Sequence, residues 1–284
     1  MNADADGQAS LGTVAVLRRY PVKSMLGEDL PVGEVTPRGL AGDRVLGLVH
    51  RETGKVASAK NPRLWRGLLT LHAEFSGPAV KITFPGGAVM AGTDPDIEAA
   101  LSEFLGQPVT IACTPPPDAT FDRADPDEVL RDGIRAHVRV ETGRLAGAAP
   151  GGNFVDFAPL HLITTSTLDR VAALSPRGTV ELERYRPNIV IRTDAAGFTE
   201  NDWAGRDLRI GPGLVIRVIA RTPRCAIPTL EHGGLPRDTD ALRVPAVHNR
   251  ISAMADFAPQ PCAGVYAQVL SPGRVKSGDT ARLA

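Results

Sequence analysis

Short runs of alternating apolar and polar residues recur along the chain and predict a structure built mainly from β-strands. An apolar residue at every second position lets one face of an extended segment pack on a core. Turns rich in glycine and proline separate the runs. The predicted strands span residues 13–19, 30–35, 44–50, 55–59, 68–75, 80–84, 185–193, 214–220 and 263–270.

The signal for helices is confined to short segments. Residues 94–105 carry their apolar side chains on one helical face, with Asp94 as the N-cap and Gly106 just past the end. A capping-box pattern over residues 166–169 opens a second short helix that we expect to end at Leu174. The predicted fold class is therefore mainly β (α+β), with few short helices.

The length of 284 residues fits one large domain or two modest ones. A stretch rich in proline, aspartate and threonine interrupts the strand pattern near the middle, as linkers do. We predict one strand-rich domain over residues 13–115, a linker over residues 116–134 and a second strand-rich domain over residues 135–284. Residues 1–11 are predicted to form a disordered leader.

Charge and hydropathy argue against two classes of partner. The 32 Lys and Arg residues balance 32 Asp and Glu residues, and aromatic residues make up only 5%, which disfavours nucleic-acid binding. No apolar run approaches the roughly 18 residues of a membrane span. The acidic start of the chain lacks the apolar centre of a signal peptide. We therefore predict a soluble protein of the cytoplasm, with no nucleic acid and no membrane as partner.

Cys225 is the residue that most suggests chemistry. It follows a predicted strand and a proline, so we expect it where the strand runs into a loop. The positive charges of Arg221 and Arg224 favour a thiolate, which can serve as a nucleophile or as a soft metal ligand. Its local sequence alone favours the commoner role of a buried structural cysteine.

Cys113 and Cys262 complete the set of three cysteines, and no CxxC pair or nearby pair of histidines accompanies them. This pattern argues against a disulfide framework, a zinc site and an iron–sulfur cluster. A Cys–His nucleophile that uses His232 or His248 stays open, without a local signature to support it.

Polar donors lie near the ends of three predicted strands. Lys23 and Ser24 follow the first strand, and Arg44 begins another after a glycine-rich turn. Arg186 and Asn188 lie two residues apart in a third, so their side chains would share one face. Such groups suit an anionic ligand with an amide-like edge. Taken singly, each set is equally typical of a surface turn or a solvated strand edge.

The ordered motifs are Arg19-Tyr-Pro-Val-Lys-Ser-Met25, Gly39-Leu-Ala-Gly-Asp-Arg44, His50-Arg-Glu-Thr-Gly-Lys55, Ser58-Ala-Lys60, Tyr185-Arg-Pro-Asn-Ile-Val190, Asp202-Trp203, Leu208-Arg-Ile-Gly211, Thr222-Pro-Arg-Cys225 and Gly278-Asp279. As a set they resemble the MOSC family, named after the C-terminal domain of molybdenum cofactor sulfurases. The first half is similar to the MOSC N-terminal β-barrel domain and the second half to the MOSC domain itself. In type, the chain resembles the mitochondrial amidoxime reducing component and the bacterial YcbX-like proteins.

The resemblance implies a β-barrel MOSC domain packed with an N-terminal β-barrel-like domain, with a molybdenum–molybdopterin cofactor between them. It implies that Cys225 is the molybdenum ligand and the catalytic residue. The other cofactor-binding residues that it implies are Lys23, Ser24, Arg44, Asp156, Arg186, Asn188 and Arg224.

The activity that the resemblance implies is the reduction of small N-hydroxylated or N-oxygenated compounds. The cysteines do not suit a ferredoxin-type cluster, so we expect electrons from a separate partner protein of the flavin, haem or iron–sulfur type. The loop after Cys225 departs from the pattern of the reductases, which leaves the substrate open. Two alternatives remain, a carrier of the cofactor or of sulfur on Cys225, and a barrel protein that has lost the cofactor.

Overall fold

The computed structural model describes residues 10–284, which form mostly strands. The strands are β1 Ser10–Arg19, β2 Glu28–Leu30, β3 Val32–Thr36, β4 Gly39–Leu40, β5 Gly47–His50, β6 His72–Ser76, β7 Ala79–Thr83, β8 Val89–Ala91, β9 Val109–Ala112, β10 Thr120–Ala124, β11 Val140–Arg144, β12 Leu160–Thr164, β13 Ile189–Arg192, β14 Asp207–Ile210, β15 Leu214–Pro223, β16 Arg250–Ile251, β17 Gln260–Ser271, β18 Gly273–Lys276 and β19 Thr280–Leu283. The α-helices are α1 Pro62–Trp65, α2 Ile97–Leu105, α3 Pro126–Asp132, α4 Thr165–Leu174 and α5 Asp240–His248. Within residues 10–284, no helix is both long enough and apolar enough to cross a membrane.

Seven strands close into a barrel in the order β12, β13, β1, β19, β14, β15 and β17, because β17 also pairs with β12. The β12–β13 pair is parallel and the other pairs are antiparallel. Alternate residues point inward, as Leu208 and Ile210 of β14 do, and both are fully buried. Closure therefore gives the sheet a single apolar interior without free edges along these strands.

Two small sheets of the first half, β5 with β9 and β6 with β7 and β8, surround a second core. A third small sheet joins β3 and β4 with β18 and packs on the barrel core through Val35, Leu40 and Val275. Helix α2 covers the second core with Ile97 and Leu101, which are buried. The observed architecture confirms the predicted fold class, mainly β with few short helices.

The main sheet crosses the predicted domain boundary. Strand β1, near the start of the chain, lies between β13 and β19 of the second half. The stretch predicted to be a linker contains β10 and α3, and the Asp125 carboxylate caps α3 by accepting hydrogen bonds from the backbone N–H of Asp127 and Glu128. Asp125 and Pro126, which belong to the predicted linker, thus form the start of a helix.

Several element boundaries differ from the predictions. Helix α2 begins at Ile97 rather than Asp94, because the Asp94 carboxylate accepts from the Asp96 N–H in a turn before the helix. Helix α4 is capped by Thr164, two residues before the start of the predicted capping box at Ser166. Residues 66–70 form a 3-10 turn instead of the start of a strand. Of the predicted leader, residues 1–9 lie outside the described residues, and residues 10 and 11 belong to β1.

Candidate functional site

One cavity joins the two halves of the molecule, and we call it the central cavity. Its empty volume is about 680 Å³, and residues from both the first half and the second half line it. Every site residue predicted from the sequence lies on its wall, namely Lys23, Ser24, Arg44, Asp156, Arg186, Asn188, Arg224 and Cys225. The structure therefore brings together residues that are up to about two hundred positions apart in the chain.

Cys225 lies two residues beyond the end of β15, where the strand runs into a loop as predicted. Its side chain is only 6% exposed and packs against Leu69, Ile227 and Leu230. The thiol is therefore buried against apolar neighbours on one side and borders the central cavity on the other. This is a mixed environment, unlike that of a cysteine enclosed entirely in a core.

Three residues of the cavity wall have left-handed backbone conformations, Ser24 with φ 64°, Arg44 with φ 49° and Arg186 with φ 55°. Such angles are unfavourable for residues with a Cβ atom and concentrate at functional sites. The prediction that Arg186 and Asn188 share a strand face is wrong, because β13 begins only at Ile189. The left-handed turn at Arg186, not strand alternation, brings the two residues to one cavity.

A carboxylate between two lysines forms one end of the cavity. Asp156 forms ion pairs with Lys23 and with Lys60, the latter at 2.9 Å between Nζ and Oδ2. Burial lowers the pKa of Lys23 to about 8, although Asp156 opposes this shift. Burial alone would raise the pKa of Asp156, but the two ammonium groups hold it far below its usual range. Asp156 thus positions two cations on the wall.

Two guanidinium groups stack on the ring of Tyr20. The Cζ atom of Arg186 lies 4.3 Å from the ring centroid and that of Arg44 lies 5.1 Å from it. Arg186 Nη1 donates to the Met25 carbonyl at 2.7 Å, whereas its buried Nη2 has no hydrogen-bond partner among residues 10–284. Burial lowers the pKa of Arg186 to about 10. The buried Asp43 carboxylate already pairs with Arg44, whereas Arg186 has no carboxylate partner within residues 10–284. A bound anion would therefore chiefly stabilise Arg186.

The guanidinium of Arg224 is held by a backbone carbonyl and by the His161 imidazole. Its Nη2 donates to the Tyr185 carbonyl at 2.9 Å, and its Nη1 lies 3.4 Å from Nε2 of His161. Burial, and then the charge of Arg224, lower the pKa of His161 to about 3. The imidazole is therefore neutral, with Nδ1 donating to the Arg186 carbonyl at 3.3 Å and Nε2 accepting from Arg224. His161 thus links the two arginines.

Asn188 and Ser24 make hydrogen bonds that also fix the surrounding backbone. The Asn188 side-chain oxygen accepts from the His161 N–H at 3.2 Å, and its amide nitrogen donates to the Arg18 carbonyl at 3.3 Å. Ser24 Oγ accepts from the Ala59 N–H at 3.1 Å and retains its own hydrogen for donation. Both residues therefore contribute to the shape of the wall as well as to its polarity.

The structure does not support a Cys–His nucleophile at this position. His232 is buried and its Nδ1 lies 2.9 Å from the Leu230 carbonyl, while His248 is exposed at the end of α5. Neither histidine lines the central cavity. The histidine on the cavity wall is His161, which sequence reasoning missed because nothing in its neighbourhood marks it. Lys60 and Tyr20 belong to the motifs that carry the family resemblance, but the sequence did not assign a role to either residue.

Two family models match this chain. The model of the MOSC N-terminal beta barrel domain matches residues 11–108, and that of the MOSC domain matches residues 151–282. The chain belongs to the MOSC-domain proteins. Over 71 residues, this MOSC protein is 41% identical to a molybdenum cofactor sulfurase from Neurospora crassa. The match covers 24% of this chain and 7% of that relative, so the chain spans only a small part of the relative's length.

Two solved structures are also similar to this MOSC protein. The YUAD protein from Bacillus subtilis is 10% identical, with a TM-score of 0.45 and 97% of each chain covered. YiiM from Geobacillus stearothermophilus is 16% identical, with a TM-score of 0.31, 51% of this chain covered and 67% of that chain.

Proposed function

We propose that this MOSC protein is a molybdenum cofactor-dependent reductase of small N-oxygenated compounds. The observation that carries the proposal is the composition of the central cavity. A single wall combines the Cys225 thiol with cationic side chains that outnumber the one lining carboxylate, Asp156, among the described residues. The cations are Lys23, Arg44, Lys60, Arg186 and Arg224. Such a wall favours an anionic ligand with a soft metal end.

The residues present fit a molybdopterin-type cofactor. Arg186 Nη2 and Arg224 Nε are buried and lack a hydrogen-bond partner within residues 10–284, and such atoms are costly unless a ligand supplies an acceptor. The cofactor offers phosphate and pterin acceptors to them. Cys225 supplies the thiolate that suits a soft metal.

The roles of the chain's own residues follow from this fit. Lys23, Arg44 and Arg186 would bind the anionic and polar edges of the cofactor, and Cys225 would hold the metal. His161 would keep Arg224 in place while staying neutral. When bound, the cofactor would supply two-electron redox chemistry, which no side chain of the cavity can supply.

The net reaction balances without further groups. An amidoxime, two electrons and two protons give an amidine and water, with the N–O bond broken. We propose that the electrons come from a separate flavin, haem or iron–sulfur protein in the cytoplasm.

The test compares the wild-type protein with Cys225→Ala after production in a host that makes the cofactor. We expect wild-type protein to retain molybdenum and pterin and to reduce benzamidoxime with a chemical reductant. Cys225→Ala should lose molybdenum and reduce benzamidoxime no faster than the reductant alone. Cys113→Ser is the matched control, because Cys113 is exposed and outside the cavity. Full activity of Cys225→Ala would contradict the assignment.

A second candidate function is transfer of sulfur or of the cofactor by Cys225. The match to a protein named molybdenum cofactor sulfurase favours it. A persulfide on Cys225 would release its outer sulfur to cyanide as thiocyanate. Stoichiometric thiocyanate from wild-type protein, absent from Cys225→Ala, together with no amidoxime reduction, would support the carrier function over the reductase.

A further inference from the structure

A second cavity opens beside the central one, and we call it the side cavity. Its empty volume is about 930 Å³. The two cavities share Lys60, Asp156, Pro223 and Tyr266 on their walls. Because Pro223 lies two residues before Cys225, the side cavity adjoins the part of the central cavity that carries the thiol. A ligand in the side cavity would therefore lie next to the proposed reaction site.

Large apolar side chains form much of the side-cavity wall. Phe121, Met254, Phe257 and Tyr266 all line it. Phe121 is 5% exposed, whereas Phe257 is 51% exposed although it is a large apolar residue. Together these side chains give the wall an apolar surface on which an aromatic ring can pack.

Two arginines on the same wall lack carboxylate partners. Within residues 10–284, the guanidinium of Arg123 on β10 forms no hydrogen bond and no ion pair. Its positive charge acts to lower the pKa of Lys60 on the same wall. Arg221 donates from Nη1 to the Ser252 carbonyl at 3.3 Å, while its buried Nε has no partner among the described residues. These two groups can therefore accept an anion from outside the chain.

The other charges on this wall are already engaged. Lys60 is paired with Asp156 at 2.9 Å. Arg144 lies 3.6 Å from Asp118. Glu141 is opposite Arg123 in the β10–β11 pair, but its side chain is 71% exposed and within residues 10–284 it forms an ion pair only with Arg139, at 3.9 Å. The uncommitted charge of the side cavity is thus positive and belongs to Arg123 and Arg221.

We propose that the side cavity binds substrates that carry both an aromatic ring and a carboxylate. The carboxylate pairs with Arg123 and Arg221, and the ring packs among the aromatic side chains. This inference rests on the proposed reductase function and narrows its substrate class.

The test measures binding to the cofactor-loaded protein by titration calorimetry with two probes, para-carboxybenzamidoxime and benzamidoxime. We expect the carboxylated probe to bind about tenfold more tightly or better, as a charge-assisted contact provides. Arg221→Gln and Arg123→Gln should each remove about tenfold of that preference and leave benzamidoxime binding unchanged. Arg209→Gln is the matched control, because Arg209 is exposed on β14 and lines neither cavity. Thermal melts verify that each variant is folded.

The outcomes separate this inference from the reductase proposal. Equal affinity for the two probes in wild-type protein overturns the inference, whatever the turnover. Tighter binding of GMP than of the carboxylated probe, lost in the same two variants, also overturns it, since the cavity would then hold a nucleotide. Selective binding of the carboxylated probe without reduction supports the site and refutes the reductase. Reduction of both probes without selective binding of the carboxylated one refutes the site and supports the reductase.

Discussion

At the scale of single residues, the wall of the central cavity contains left-handed backbone conformations that are unfavourable for any residue with a Cβ atom. Ser24, Arg44 and Arg186 share left-handed angles, and hydrogen bonds from neighbouring segments hold them. Arg44 illustrates this, since its N–H donates to the Tyr20 carbonyl and its own carbonyl accepts from Phe154, both at 2.7 Å. These turns place three polar side chains on the wall of the central cavity, and the surrounding fold holds them in a strained conformation.

We predict that Arg186→Gly is more stable than Arg186→Ala by about 1 kcal/mol, the reverse of the usual order, because glycine adopts the left-handed angle without strain. Both variants should lose the cofactor, since both lack the guanidinium. Urea unfolding of the cofactor-free proteins measures the first effect, and pterin content measures the second. An alanine variant at least as stable as the glycine variant would show that position 186 is unstrained.

At the scale of elements, the loop that carries Cys225 is fixed by one buried side chain. Arg184 is fully buried, and it donates to the Leu230 carbonyl at 3.1 Å and to the Pro236 carbonyl at 2.8 Å. Its Nε pairs with Glu181. The Arg184 guanidinium therefore adds a buried anchor to the turns that the loop forms by itself.

We predict that Arg184→Leu destabilises the protein by about 3–5 kcal/mol, because a buried ion pair loses one partner. It should also release the loop, so that a thiol reagent modifies Cys225 faster in a Cys113→Ser background. Arg217→Leu is the control, because Arg217 also pairs with a carboxylate, that of Asp207, but is 52% exposed. We expect a smaller loss of stability and unchanged thiol reactivity there. Equal effects of the two substitutions would argue against a specific role of Arg184.

Strand β1 connects the halves, since it completes the barrel between β13 and β19. We predict that residues 135–284 alone do not unfold cooperatively, because the barrel then lacks one strand and the buried Val14 and Leu17. Adding residues 10–134 in trans should restore a cooperative melt followed by circular dichroism. A cooperative melt of the isolated fragment would contradict this prediction.

At the scale of the whole molecule, buried neutral histidines make stability depend on pH. Burial lowers the pKa of His161 and of His232 to about 3, from an ordinary value of 6.5. Below pH 6.5 the unfolded chain binds more protons than the folded protein, so stability falls as the pH drops towards 3. This loss precedes the protonation of carboxylates such as Asp156, whose pKa is held low.

We predict that each of the two histidines lowers the free energy of unfolding by about 2 kcal/mol between about pH 7.5 and about pH 5. Urea unfolding of the cofactor-free protein at the two pH values measures the total. His232→Gln keeps a donor for the Leu230 carbonyl and should reduce the drop by about 2 kcal/mol. An unchanged drop in that variant would mean that His232 is protonated in the folded protein.

Much of the candidate site was predictable because its signals are local. Cys225 follows a strand and a proline, and the Lys23–Ser24 and Arg44 motifs stand at turns that the sequence marks. The fold class was predictable for the same reason, since alternation along each strand reports burial of one face. The boundaries of helices and strands were less predictable than the fold class. Helix α3, for example, lies within the predicted linker.

The sequence by itself determined the mainly β fold class, the thiol at a strand exit and four of the five cationic side chains of the central cavity, because each depends on near neighbours in the chain. Only the tertiary structure decided that His161 is neutral between two arginines and that Lys60 shares Asp156 with Lys23. It also decided that Arg123 and Arg221 of the side cavity have no carboxylate partner among the described residues. Those features depend on burial and on contacts between distant segments. Barrel closure through β1 creates these contacts, and no local pattern encodes them.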